Sequence, residues 1–183
     1  MPKKRCKWAE KEVFHQYHDN EWGRPIHDDN KHFEFLILEG AQAGLSWETI
    51  LKKRENYRKN FAGFDPEKVA RYTDKKLEKI LGDPGVVRNR LKIYRTRRNA
   101  HAFLEIQKEF GSFDKYIWAF VGGQTIYNKI RKMADMPART ELSDQVSKDL
   151  KNRGMTFVGS TIIYAYLQAV GIVNDHEKLC NFR

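Results

Sequence analysis

Two pairs of residues suited to binding a soft metal ion bracket the chain. Cys6 and Cys180 are its only cysteines, and each has a histidine nearby in sequence, His18 and His176 respectively. Two thiolates and two imidazoles make a closed tetrahedral zinc site, which is structural because no coordination position stays open for water or substrate. His176 and Cys180 are four positions apart, a spacing that one helical turn would bring to one face, with the N-terminal pair supplying the other two ligands. The same residues also suit two unrelated buried thiols, or a disulfide joining the ends in an oxidising compartment.

A second constellation is aromatic and acidic: Trp8, Phe14, Tyr17, His18, Asp19, Trp22, Glu39 and Trp47. Flat rings at this density suit the holding of a planar heterocycle such as an extruded nucleobase. Glu39 lies in an apolar helical run, where burying a carboxylate without a partner is costly. Either it satisfies a backbone amide or an arginine, or it accepts hydrogen bonds from the exocyclic amine of a bound base. In Gln42-Ala43-Gly44-Leu45-Ser46-Trp47, small residues at a tight turn leave Leu45 at an apex. There it is either an interhelical core contact or an apolar wedge that fills the space left by a flipped base.

The elements that must position these groups read as helices, with no sustained period-two alternation of apolar residues. Asp28, Asp29 and Asn30 offer N-cap oxygens for a helix carrying Phe33, Leu36, Ile37, Gly40 and Ala41 and ending near Gly44. Ser46 caps a second helix with Ile50, Leu51, Tyr57 and Phe61 inward. Asp65-Pro66 and Thr73-Asp74 open short helices, and the segment after Gly85 reads as a long basic helix to about Lys108. Two more helices lie in ELSDQVSKDLKNRG and TIIYAYLQAV, while 122–140 is the least patterned stretch and the expected long loop.

The chain has 183 residues, 40% hydrophobic and 32% charged, which suits one folding unit over 1–183, or two lobes sharing a core. No apolar run approaches the roughly 20 residues of a membrane helix, and the polar start lacks a signal-peptide core, so no membrane partner and a cytoplasmic location are expected. A formal charge of +10 points to a polyanionic partner. Between the last two helices, Gly154 and Gly159 flank Phe157-Val158 and precede Ser160. Such a hairpin can offer backbone amides to a DNA phosphate, although a plain C-cap accounts for Gly154 equally well. At helical spacing Arg88, Lys92 and Arg95 share a face that either meets phosphate or is solvated.

Taken together, Tyr17-His18-Asp19-Asn20-Glu21-Trp22-Gly23, Leu38-Glu39-Gly40-Ala41-Gln42-Ala43-Gly44-Leu45-Ser46-Trp47, Phe157-Val158-Gly159 and Val173-Asn174-Asp175-His176 closely resemble the type I 3-methyladenine DNA glycosylases, over nearly the whole chain. The resemblance implies an all-α helix-hairpin-helix DNA glycosylase fold. It also implies a zinc clasp, one structural Zn2+ per chain on Cys6, His18, His176 and Cys180, joining the N- and C-terminal segments. In the pocket, Glu39 and Tyr17 would hydrogen-bond the methylated adenine, Trp47 would stack on it, and Trp8, Phe14 and Trp22 would help line the walls. Phe14 stands where the pattern leads one to expect tyrosine, which keeps a ring and loses a phenol hydrogen bond. From the residues themselves, the expected DNA contacts are Leu45 as a wedge on the turn made by Gly44, with Gly154, Gly159, Ser160, Arg88 and Lys92 at the DNA backbone.

Many relatives in the superfamily place an aspartate soon after the hairpin to stabilise the sugar cation. Asn174 or Asp175 could lie near that position, but the type I pattern implies that neither carries the reaction, which leaves Glu39 as the catalytic candidate. No lysine is placed like a Schiff-base nucleophile, so a monofunctional hydrolase is expected. It would act as a monomer on double-stranded DNA containing alkylated bases, with free 3-methyladenine as product. The alternatives are a non-catalytic DNA-binding module using only hairpin and basic helix, and a glycosylase for another alkylated base.

Overall fold

Local capping chemistry sets most helix starts. The computed structural model describes residues 3–183. Among them α1 spans Glu12–Asn20, α2 Asp29–Gln42, α3 Trp47–Asn60, α4 Pro66–Ala70, α5 Asp74–Leu81, α6 Arg90–Phe110, α7 Phe113–Ala119, α8 Glu141–Asn152 and α9 Ser160–Ala169. The side chains of Asp28, Ser46, Asp65, Thr73, Asn89, Ser112 and Thr140 each accept a backbone N–H in the first turn of the helix that follows, satisfying donors that have no intrahelical partner. The basic helix therefore begins at Arg90 rather than just after Gly85, because Asn89 is its cap; Arg88 lies outside it.

Packing is organised around α2. Every residue from His32 to Ala41 is buried, the signature of a helix surrounded on all sides, and α3, α6, α7 and α9 pack against it. Phe33 meets Phe103 edge-on at 5.2 Å, and Phe103 stacks on Phe113 at 4.2 Å between ring centroids. Leu38 is wholly buried; cutting such a side chain to alanine costs about 2–5 kcal/mol. The core is one contiguous cluster, with Cys6 and Cys180 both within it. No helix among the described residues is long and apolar enough to cross a membrane.

The irregular stretch is tied down at two points. Ile126–Tyr127 (β1) pairs in parallel with Val173–Asn174 (β2), in the register Ile126 to Val173 and Tyr127 to Asn174, the little extended structure in an otherwise helical protein. Further on, Met133–Asp135 forms a single 3-10 turn. The chain beyond β2 is turn rather than helix: Cys180 N–H donates to Glu177 O at 2.8 Å. The segment from His176 to Cys180 is thus a non-helical turn, not the single helical turn that would have set both side chains on one face.

Candidate functional site

Trp8, Tyr17, Trp22, Glu39, Gln42, Trp47, Met133, Met136, Ala165 and Gln168 line a cavity of about 170 Å³, larger than the roughly 150 Å³ that accepts a benzene ring in a protein core. The last turn of α1 and the residues after it bring in Tyr17 and Trp22, α2 brings Glu39, and the first position of α3 brings Trp47. Trp8 and Trp22 meet edge-on at 5.0 Å, and Tyr17 and Trp47 are tilted at 5.2 Å. Phe14 does not line this cavity; it packs edge-on behind Trp8 at 5.7 Å, buttressing a wall.

Glu39 is 4% exposed, and among the described residues no side chain or amide hydrogen-bonds its carboxyl group. Burial alone pushes its pKa up to about 8. Glu34, one and a half turns earlier on the same helix and also buried, shows the contrast. Burial opposes its ionisation too, but Arg54 Nε at 2.7 Å, Arg58 Nε at 2.8 Å and Lys31 Nζ at 2.9 Å outweigh that and hold its pKa at about 2. The buried arginine therefore serves Glu34 and Glu21, and Glu39 is left with its carboxyl unpaired. Trp47 Nε1, the donor at the other side of the pocket, is likewise buried without a partner. Burial also raises the Tyr17 hydroxyl well above its ordinary value, with the Glu39 charge adding to the effect, so it stays a neutral donor.

Gly44 and Leu45 occupy the turn between α2 and α3. Gly44 has φ +77° with no protein atom where a Cβ would lie, and Leu45 is 42% exposed, an apex rather than an interhelical core contact. Lys92 is turned toward this apex. Its Nζ donates to Ala41 O at 2.8 Å and Ala43 O at 2.6 Å, satisfying carbonyls at the end of α2, while Arg88 is exposed ahead of α6.

The turn from α8 to α9 is held from both sides. Met155 N–H donates to Leu150 O and Gly154 N–H to Lys151 O, a Schellman close with Gly154 at φ +90°. Phe157 adopts φ +57°, a strained conformation for a bulky residue. The Asn99 side chain clamps Thr156 N–H at 2.9 Å and Thr156 O at 2.8 Å, and Ser147 Oγ donates to Val158 O at 2.7 Å. Gly40 of α2 lets this turn approach, since a Cβ there would sit 3.1 Å from Phe157 Cβ. At Gly159 no protein atom would meet a Cβ, so that face is open, and Ser160 opens α9 beside Ser143 and Asp144.

At the chain ends, one ligand atom each from Cys6, His18 and Cys180 lies within 4.8 Å of the others, all three residues buried. Both cysteines are free thiols, not joined as the disulfide reading has them. His176 stands beside this trio: its ring centroid is 5.0 Å from that of His18, and its Nε2 is buried with no partner. Each imidazole commits Nδ1 to an oxygen, His18 to Asp19 Oδ1 and His176 to Asn174 Oδ1, both at 2.9 Å, which leaves Nε2 to face the sulfurs or stand free. Asp19 is fixed in turn by two hydrogen bonds from Arg5 Nε and one from Nη2. Outer partners of this kind orient the histidines of metal centres. The sulfurs accept backbone N–H groups, Cys6 from Glu177 at 3.3 Å and Cys180 from Phe182 at 3.4 Å. Without a cation, burial pushes the Cys6 thiol up to about 12. The donor set, the orphaned Nε2 and the oriented rings fit a metal ion. Gly23 makes room: at φ +72° a Cβ would lie 2.8 Å from His176 Cε1.

Asn174 and Asp175 both point into protein. Asp175 is fully buried and accepts from Asn128 Nδ2 and Gln168 Nε2 at 2.7 Å and from the Tyr164 hydroxyl, so it steadies a wall residue rather than lining the cavity. Sequence reasoning missed Gln42, Met133, Met136, Ala165 and Gln168. Met133 and Met136 carried only a faint signal, two large apolar residues three apart in the irregular stretch.

A family model described as methyladenine glycosylase matches residues 8–183. Over 177 residues the chain is 45% identical to DNA-3-methyladenine glycosylase 1 of Escherichia coli (strain K12), covering 96% of this chain and 95% of that protein. It is similar to a crystal structure of 3-methyladenine DNA glycosylase I, with TM-score 0.94, 44% identity, and 97% and 98% of the two chains covered. A variant of 3-methyladenine DNA glycosylase I in complex with 3-methyladenine matches with TM-score 0.93 and 35% identity, covering 97% of this chain and 96% of that one.

Proposed function

The chain belongs to the methyladenine glycosylase family, and from that premise we propose that it is a monofunctional DNA glycosylase that excises 3-methyladenine, with Glu39 as the residue that recognises the alkylated base. The observation that carries this reading is the unpaired, buried Glu39 carboxyl in a cavity walled by aromatic rings. A site that only held DNA would gain nothing from such a costly group, which disfavours a purely DNA-binding module.

Methylation at N3 leaves the base cationic while it is attached to the sugar. Heterolysis of the N-glycosidic bond sends the bonding pair to the base, which departs as neutral 3-methyladenine. Water adds to C1′ of the sugar cation and loses a proton, leaving an abasic site. Trp47 stacks on the extruded base, the Tyr17 hydroxyl and Glu39 bond its edge, and Trp8 and Trp22 close the walls, with Phe14 behind Trp8. With a pKa of about 8, Glu39 is mostly neutral in the free pocket at pH 7, and ionising it there costs about 1.4 kcal/mol. A cationic ring offsets that cost through a charge-assisted hydrogen bond, and the stacked rings add cation–π attraction. Neutral adenine offers neither. Because positive charge passes from base to sugar as the bond breaks, Glu39 acts mainly by selecting and holding the alkylated base with C1′ open to water.

The remaining parts take supporting roles in one glycosylase unit over 1–183. Leu45 wedges the duplex from the tight turn that Gly44 allows, with Lys92 bracing that turn from beneath. The α8–α9 pair serves as a helix-hairpin-helix in which Gly154, Gly159 and Ser160 shape a phosphate-binding face, and Arg88 reaches the backbone nearby. Cys6, His18, His176 and Cys180 would hold one Zn2+, whose chemistry there is structural: it cross-links the two chain ends.

The test is a chromatographic assay of bases released from methylated DNA by metal-loaded protein, with 3-methylguanine and 7-methylguanine scored beside 3-methyladenine. Release of 3-methyladenine that is lost in Glu39→Gln is expected. No release of it by the parent protein sinks the proposal, and preferential release of another base moves the activity to that lesion.

A further inference from the structure

Lys129, Arg131, Lys178 and Arg183 line a second cavity of about 310 Å³. All four are exposed, none forms an ion pair with an acidic side chain among the described residues, and Arg183 Nη2 donates to Asn128 O at 3.4 Å. The segments that carry them are ordered by backbone contacts rather than by these charges. Lys178 N–H donates to Ile130 O at 2.8 Å, Ile130 is buried, and Asn128 is bonded to the fully buried Asp175. The fold thus holds four like charges around one concavity, an arrangement that an oxyanion relieves.

Its place along the chain identifies the anion. The strap over 128–140 contributes Lys129 and Arg131 to this cavity, then Met133 and Met136 to the aromatic pocket, then Arg139 to the surface beside α8 and Ser160. In chain order, the strap's residues in the aromatic pocket thus lie between those in the basic cluster and the one beside the hairpin. We propose that Lys129, Arg131, Lys178 and Arg183 form a second phosphate-binding site that grips the DNA backbone on the side of the extruded nucleotide away from the helix-hairpin-helix. The proposal rests on the glycosylase reading above. Two anchor points flanking one nucleotide would hold the strand taut while its base is turned out, and little sequence information is needed for either.

The experiment measures binding of the full-length, metal-loaded protein to duplex DNA containing an abasic-site analogue, as a function of salt. In Lys129→Gln/Arg131→Gln the slope of log K against log[salt] is expected to become shallower by about 1–2, since each lost phosphate contact removes about 0.9. Lys75→Gln/Lys79→Gln on α5, exposed residues with the same change in net charge, should leave the slope within error of the parent. Binding of free 3-methyladenine should be unchanged in both. An unchanged slope in the 129/131 variant, or an equal loss in the α5 control, overturns the second site. Should the 129/131 variant also lose free-base binding, Lys178→Gln alone, which should lower the slope by about 1, decides between phosphate contact and damage to the strap. Failure of the parent to bind or release 3-methyladenine would instead count against the glycosylase reading.

Discussion

Replacing Glu39 with glutamine should stabilise the protein, and increasingly so as pH rises. The carboxyl has an ordinary pKa near 4.5 in the unfolded chain and about 8 in the fold. The folded state therefore binds more protons between those values, and its stability from this group is fully present below about pH 4.5 and lost as pH rises toward 8. Working the two pKa values through the linkage relation, the parent loses about 3.5 kcal/mol between pH 5 and pH 8 from Glu39 alone. Glutamine has nothing to ionise, so that loss disappears. The difference in unfolding free energy between Glu39→Gln and parent should grow by about 3.5 kcal/mol over this range. In a chain of this size that is roughly 7–14 °C in Tm. Urea or thermal unfolding of both proteins at pH 5, 6, 7 and 8 measures it, and contributions from the cysteines and histidines cancel in the difference. A difference flat to within about 0.5 kcal/mol would mean that Glu39 has a partner or is hydrated in solution, and would falsify the account of an unpaired carboxyl waiting for a cationic base. Glu39→Gln should also lose most base release, so the same substitution would stabilise the fold and disable the site, as expected where a costly group is kept for function.

Trp47→Phe keeps a ring and removes the unpartnered Nε1 donor; base release should fall roughly tenfold, and a larger fall in Trp47→Ala would separate stacking from the hydrogen bond. Leu45→Ala should leave Tm within about 1 °C, because the side chain is half exposed, while lowering excision from duplex more than from single-stranded DNA; equal losses on the two substrates would rule out a wedge. Chelation of the metal, or Cys180→Ser, should lower Tm and increase proteolysis near both chain ends while free 3-methyladenine still binds, measured by calorimetry and limited digestion; an unchanged Tm would argue against a metal clasp. Asn99→Ala orphans the Thr156 amide and should cost about 1–3 kcal/mol, with weaker DNA binding through the loosened α8–α9 turn, read by urea unfolding and by titration with DNA.

Local chemistry written along the chain determined much of this protein. Asp28, Ser46, Asp65 and Thr73 mark helix starts by side-chain oxygens that satisfy free amides, and capping acts over three residues, so it is legible without the fold. The aromatic and acidic residues around Tyr17, Glu39 and Trp47 were visible as types, as were the two cysteine–histidine pairs. What sequence left open were choices between alternatives at one position. Glu39 could have been paired with an arginine, and only packing shows Arg54 and Arg58 spent on Glu34. Leu45 could have been core, and only the geometry of the turn leaves it exposed. Phe14 looked like a pocket wall and lies behind one, and Lys92 braces the end of α2 where a contact with DNA phosphate was expected. The chain from His176 to Cys180 is a turn where a helix was expected, and Met133, Met136, Ala165 and Gln168 reach the pocket from segments more than 80 residues beyond Trp47. These outcomes depend on which surfaces meet after the chain closes, and burial, pairing and exposure are properties of those meetings rather than of any residue and its neighbours in sequence.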